Sequence, residues 1–248
     1  MVLKVESSQF SFDVNLIELE GVLNFAKSVM DSYIGDFIEP ISVIHYNHIY
    51  CPMVFYEKGD QGEFIISLGS HDTQYGRYIY QFAHEYCHIR TNYHDNNLKL
   101  GWFEESICET SSLFFLDIMA PIWKNEVPYE HMREYDYILS DYSHNAKSLP
   151  EKTLPKDLSF QEWYTKQKII FETAPFDKHN QRRNEYCIIA KQILPLFHQY
   201  PELWNLLTYW NKWDLDSNDF IDNAFIKWLS ILPEEKKSVA QKLINIFK

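Results

Sequence analysis

The stretch "QFAHEYCHIRTNYHD", residues 81–95, constrains this chain more than any other. Ile79, Phe82, Tyr86 and Ile89 recur at three- and four-residue steps, the mark of a buried stripe on a helix running from Tyr75 to about Tyr93. The same helix must then carry His84, Glu85 and His88 in or beside a core. At 3.6 residues per turn the two histidines stand about 40° apart around the axis, so their imidazoles project to one side. Two imidazoles so placed can hold one Zn²⁺ at roughly 2.0–2.1 Å each. Glu85 falls on the flank shared with His88, where its carboxylate reaches a water beside the metal rather than the metal itself. This is the physical content of H-E-x-x-H: two ligands and one general base on a single turn.

The motif is short, so its surroundings carry much of the weight. A β-rich run, "EFIISL" (63–68), precedes it, and a second helix rich in carboxylates, "GWFEESICETSSLFF" (101–115), follows. Two residues compete for the third ligand position. His94 falls six residues after His88, where the metzincin pattern H-E-x-x-H-x-x-G-x-x-H has its third histidine. That pattern needs a glycine where this chain has Thr91, and a β-branched residue is poorly suited to positive φ. Asn92 can adopt that conformation, but one place too late for His94. The other candidate is Glu105, seventeen residues after His88. On a helix from Trp102 to Met119, Glu105, Cys108, Glu109 and Ser112 share a face, while Ile107, Phe114 and Ile118 lie on another. Glu105 would complete a His₂Glu set, and Glu109 would accept the outer N–H of a metal-holding histidine. Glu104 points about 100° away from Glu105 and suits a solvated acid at a helix N-terminus.

These residues resemble the gluzincins, the thermolysin-like and M1-aminopeptidase-like zinc peptidases, over about 50 residues from "EFIISL" to "SSLFF". The resemblance implies a zincin-like core in which His84, His88 and Glu105 hold Zn²⁺. Glu85 would be the general base, Glu109 the supporting acid, and Trp102 the counterpart of the aminopeptidase tryptophan. The chain departs from the pattern at Glu104, Ser106 and Glu109, where an asparagine, a glycine and an aspartate are usual. It has no G-x-M-E-N segment, so nothing points to an aminopeptidase. In such enzymes the strand before the active helix binds an extended peptide by edge pairing. "EFIISLGS" fits that role, and fits an ordinary core strand equally well. A downstream His, Tyr or Arg meets the developing oxyanion in the family. Of "YEHMREYDYILSDYSH" (129–144) and "KHNQRRNEYC" (178–187), the second is preferred, with Arg183 and Tyr186 as the candidate catalytic donors.

The rest of the chain frames that centre. "LIELEGVLNFAKSVM" puts Leu16, Leu19, Val22, Leu23, Ala26 and Met30 on one helical stripe. "ISVIHY" (41–46), "PMVFYE" (52–57) and "EFIISL" suggest three short strands, the last two joined at "KGDQG". From Thr73 onward the pattern is helical, punctuated by prolines including Pro121. "RRNEYCIIAKQILPLF", "PELWNLLTYW", "DFIDNAFIKWL" and "PEEKKSVAQKLINIF" read as four successive helices. The expected fold is α+β: one zincin-like domain over 1–248, with an N-terminal helix and small sheet (1–72), active-site helices (73–121) and a helical remainder (122–248).

A net charge of −12 argues against nucleic acid as a partner, because phosphate neutralisation needs a basic face. No apolar run is long enough to span a bilayer, and the start of the chain lacks the pattern of a signal peptide. Cys51, Cys87, Cys108 and Cys187 are scattered, as expected of small packing residues in a reducing cytoplasm. Nothing sets an oligomeric state. The expected activity is zinc-dependent hydrolysis of a peptide or protein substrate. The alternative is a metal-binding or helical interaction protein with the same core and little turnover.

Overall fold

The computed structural model describes residues 3–6, 14–45, 52–71, 73–93, 99–173, 182–214 and 219–248. Its sheet has the strand order β1-β2-β4-β3, with β1 at Leu3–Val5, β2 at Ile41–His45, β3 at Met53–Val54 and β4 at Phe64–Leu68. β1, β2 and β4 run parallel, and β3 runs antiparallel to β4. A parallel pair needs a crossover, and helix α1 (Leu16–Ile34) supplies it between β1 and β2. Asn15 caps α1 through its side chain, and the chain leaves it at Gly35 with φ 107°, a conformation costly for any side-chain-bearing residue. Leu19, Val22, Leu23, Ala26 and Met30 are buried as the stripe requires. Two polar residues of α1 serve the outer edge of β1: Glu20 Oε2 accepts the Val5 N–H at 3.0 Å, and Asn24 donates to Leu3 O. An edge strand so covered offers fewer open backbone groups to another chain.

The β3–β4 hairpin closes at the anticipated turn, where Gly59 N–H donates to Glu63 O and Gly62 takes φ 81°. β4 pairs with β2 along its length and with β3 at Ile66 and Ser67. It is therefore an interior strand, and the edge-pairing role considered for "EFIISL" is not open to it there. The ordinary core role holds, with Ile66 and Leu68 fully buried.

The chain forms two compact units, Met1–Ile89 with Ser111–Ala146, and Arg90–Thr110 with Lys147–Lys248. The first holds the sheet, α1, nearly all of α2 (Tyr75–Arg90), the second half of α3 (Gly101–Trp123) and most of α4 (Asp136–Ser148). Within it α3 lies close on α2, because Ser111 donates to Ala83 O at 2.9 Å and Ser112 to Tyr80 O at 2.8 Å. Small hydroxylated residues let two helices approach and leave no buried donor unpaired. Pro121 does not stop α3, which runs on to Trp123; a proline this near the end costs little further hydrogen bonding.

The second unit holds the first half of α3 with α5 (Phe160–Thr173), α6 (Arg183–Gln199), α7 (Leu203–Leu207), α8 (Ile221–Ile231) and α9 (Lys237–Asn245). Its core is aromatic. Trp102 stacks on Phe171 at 5.2 Å between centroids, and Phe103 meets Trp210 at 4.7 Å and Phe225 at 5.3 Å. Such pairs add about 0.5–1.5 kcal/mol each beyond their burial. The class is thus mixed α+β with a predominantly helical second half. No helix among the described residues is long and apolar enough to cross a membrane.

Candidate metal centre

Helix α2 is fixed at its start by the exit of β4. Gln81 Oε1 accepts the Gly69 N–H at 3.0 Å, and the Tyr78 hydroxyl donates to Ser70 O at 2.9 Å. Further along, the Tyr86 hydroxyl donates to Asp31 of α1. These contacts set the rotation of α2 in its unit, and with it the direction of the motif. His84 and Glu85 are 7% and 4% exposed, whereas His88 is partly open. The two imidazoles lie 5.1 Å apart between centroids with planes at 63°, both on the side of the helix predicted from their spacing.

Just beyond α2 the left-handed residue is Asn92, with φ 52°, and not Thr91. In the second unit Asn92 donates to Thr208 O and Trp210 O, both at 2.9 Å. Asn211, left-handed itself at φ 62°, donates back to Thr91 O at 3.2 Å and to Glu104 Oε2 at 3.1 Å. Glu104 is therefore tethered rather than a freely solvated acid, and it is turned toward Asn211. His94, the rival third ligand, lies outside the described residues.

Along α3, Glu105 is half-buried, Cys108 is fully buried and Glu109 is 3% exposed. Ser106 donates to Trp102 O within the helix. Trp102 is fully buried in the aromatic core, which accounts for it as a packing residue. Helix α6 meets this acidic row with two consecutive side chains. The Cys187 thiol donates to Glu109 Oε1 at 3.1 Å, and burial first, then the Glu109 charge, push that thiol's pKa up. Tyr186 lies within electrostatic reach of Glu105; burial and then that carboxylate push its phenol up, so it stays a protonated donor. Arg183 opens α6 on the exposed side, and Arg182 pairs loosely with Glu185 at 3.7 Å.

Among the described residues, His84 and His88 stand together on α2 in the first unit, while Glu105, Cys108 and Glu109 share one face of α3 in the second. Cys108 was legible as a member of the Glu105 face, but a scattered cysteine gives no sign of donor chemistry. Glu105 sits three residues before Cys108 on the same face of α3, with a longer side chain. Two imidazoles so paired are donors suited to Zn²⁺. Compared with known protein families, with characterised proteins and with solved structures, the chain matches none of them.

Proposed function

We propose that this chain is a zinc-dependent peptidase with a zincin-like core, acting on a peptide or protein substrate. The observation that carries the reading is the pairing of His84 and His88 on one side of α2, 5.1 Å apart, with the buried Glu85 beside them. His84, His88 and Glu105 would hold the metal, and Glu109 would orient one of the histidines. The bound metal supplies a Lewis acid that polarises the scissile carbonyl and acidifies the attacking water. Glu85 accepts the proton of that water and returns it to the departing amine. Tyr186, kept protonated by burial and by Glu105, is the preferred of the two candidate donors for the developing oxyanion. Arg183, exposed at the start of α6, is the other candidate.

Replacing Glu85 with Gln tests the mechanism, since Gln keeps the volume but cannot take the proton. Zinc content should stay at the wild-type level while peptide hydrolysis falls by at least ~10²-fold. Loss of zinc in this variant would make Glu85 structural, and an unchanged hydrolysis rate would refute its role as base.

Cys108 favours a second reading. Were this buried thiol to join two histidines and a glutamate, all four positions of a tetrahedral metal would be filled and none left for water, the mark of a structural site. The protein would then hold a metal without turnover, binding zinc and cleaving no peptide.

A further inference from the structure

A second pair of histidines meets in the first unit, away from the H-E-x-x-H turn. His45 is the last residue of β2, in register opposite Leu68 of its parallel neighbour β4, and is 5% exposed. His71 stands just past the end of β4, in the short link to α2, and is exposed. Their ring centroids lie 5.7 Å apart with planes at 57°, close to the 5.1 Å and 63° of His84 and His88. The parallel register of β2 and β4 brings the two together, so no local spacing announces them. Both rings stand on tied backbone. The pairing with β4 fixes His45, while His71 O accepts the Gln74 N–H at 3.2 Å and Ser70 Oγ donates to Gln74 Oε1 at 3.3 Å. An imidazole bound at roughly 2.0–2.1 Å puts its centroid about 3.2 Å from the ion, so two at a tetrahedral angle stand about 5 Å apart. A small turn of the exposed His71 ring closes the difference from 5.7 Å. A chain of net charge −12 also draws cations to its surface.

We propose that His45 and His71 form a second, weaker site for a divalent transition-metal ion of the kind imidazole favours, Cu²⁺, Ni²⁺ or Zn²⁺. An ion there ties the end of β2 to the entry of α2. Two protein donors leave the other positions to water, so the ion exchanges readily and is lost on dialysis against buffered zinc. His84 lies about 14 Å along α2 from its first residue, so the two pairs do not share an ion. The inference is independent of the peptidase reading.

The probe is Cu²⁺, which binds most tightly of the first-row divalent ions. The full chain carrying His84→Ala and His88→Ala, and so lacking the donors of the motif, is titrated with Cu²⁺ and followed by calorimetry and electron paramagnetic resonance. One ion should bind saturably, with the nitrogen splitting of two imidazoles. Adding His71→Ala, at an exposed position, should weaken binding at least ~10-fold and leave the splitting of one imidazole, since losing a donor costs no less than losing a donor's support. His45→Gln should do the same, and His71→Ala decides the matter if the buried change unfolds the chain. Ni²⁺ should raise the melting temperature of the chain with both histidines and leave that of His71→Ala unchanged, because only the former holds the ion when folded. In the wild-type chain His71→Ala should remove the same copper equivalent. Copper bound equally well without His71 would mark an adventitious ion and overturn the proposal, as would the absence of saturable binding. Zinc kept by wild type after dialysis reads the motif pair alone, so the two readings fail separately.

Discussion

Asn92 and Asn211 hold each other's neighbourhoods: both are left-handed, Asn92 donates to the carbonyls of Thr208 and Trp210, and Asn211 donates to that of Thr91. Asparagine is the side-chain-bearing residue that best tolerates positive φ, and here its amide also satisfies buried carbonyls. Within the second unit the exchange ties Thr91 and Asn92 to the Thr208–Asn211 segment and, through Asn211, fixes Glu104 at the start of α3.

Replacing Asn211 with Ala removes both bonds and places a Cβ-bearing residue at φ 62°. The expected loss is about 2–4 kcal/mol, from one neutral and one charged hydrogen bond plus backbone strain. Asn211→Gly relieves the strain but not the lost bonds, so it should recover about 1 kcal/mol of that loss. Urea denaturation followed by tryptophan fluorescence reads both variants, with Trp210 adjacent to the change. If both variants unfolded at the wild-type midpoint, the exchange would be ornamental.

Much of this geometry was legible locally, and what was not depends on distant partners. The stripe of α1, the strands β2, β3 and β4 and the turn at Gly59 follow from short-range pattern, as does the His84–Glu85–His88 arrangement. Thr91 was rightly excluded from the left-handed region by its β-branch, and Asn92 took the role. β1 escaped notice because three residues at a sheet edge carry almost no periodicity. The tether of Glu104 was invisible because Asn211 stands 107 residues away, and Cys187 escaped notice for the same reason. β4 was credited with a possible edge role because periodicity identifies a strand but not its neighbours.

A second prediction concerns Glu172, which accepts the Ile221 N–H at 3.0 Å and so caps the start of α8. Burial raises its pKa above 4.5, and Asp222 adds to the rise, while the Ile221 bond, Lys168 and Lys99 oppose it. A carboxyl raised on folding binds its proton more tightly in the native state. Its contribution to stability is therefore greatest at low pH and declines as pH climbs from about 4.5 through the raised value. Glu172→Gln keeps an acceptor for Ile221 and carries no charge. The variant should melt above wild type at pH 7, with the gap closing as pH falls toward 4.5. A gap that stayed constant or widened on acidification would contradict the assignment.

The identity of the third ligand is open to optical test. Cobalt substituted at the site gives an intense near-ultraviolet charge-transfer band when a thiolate is bound and none with histidines and a carboxylate alone. With Glu105 as ligand, wild type should lack the band, Glu105→Ala should lose most of its metal affinity, and Cys108→Ala should keep it. A strong band abolished by Cys108→Ala would assign the position to Cys108 and favour the reading without turnover.

The most direct test of the whole account is zinc content. Purified without chelator and dialysed against buffered zinc, wild type should retain one Zn²⁺ per chain, and the His84→Ala, His88→Ala double variant should retain almost none while staying folded by circular dichroism. No zinc in the wild type, or equal zinc in the double variant, would contradict the claim that α2 is a metal-binding helix.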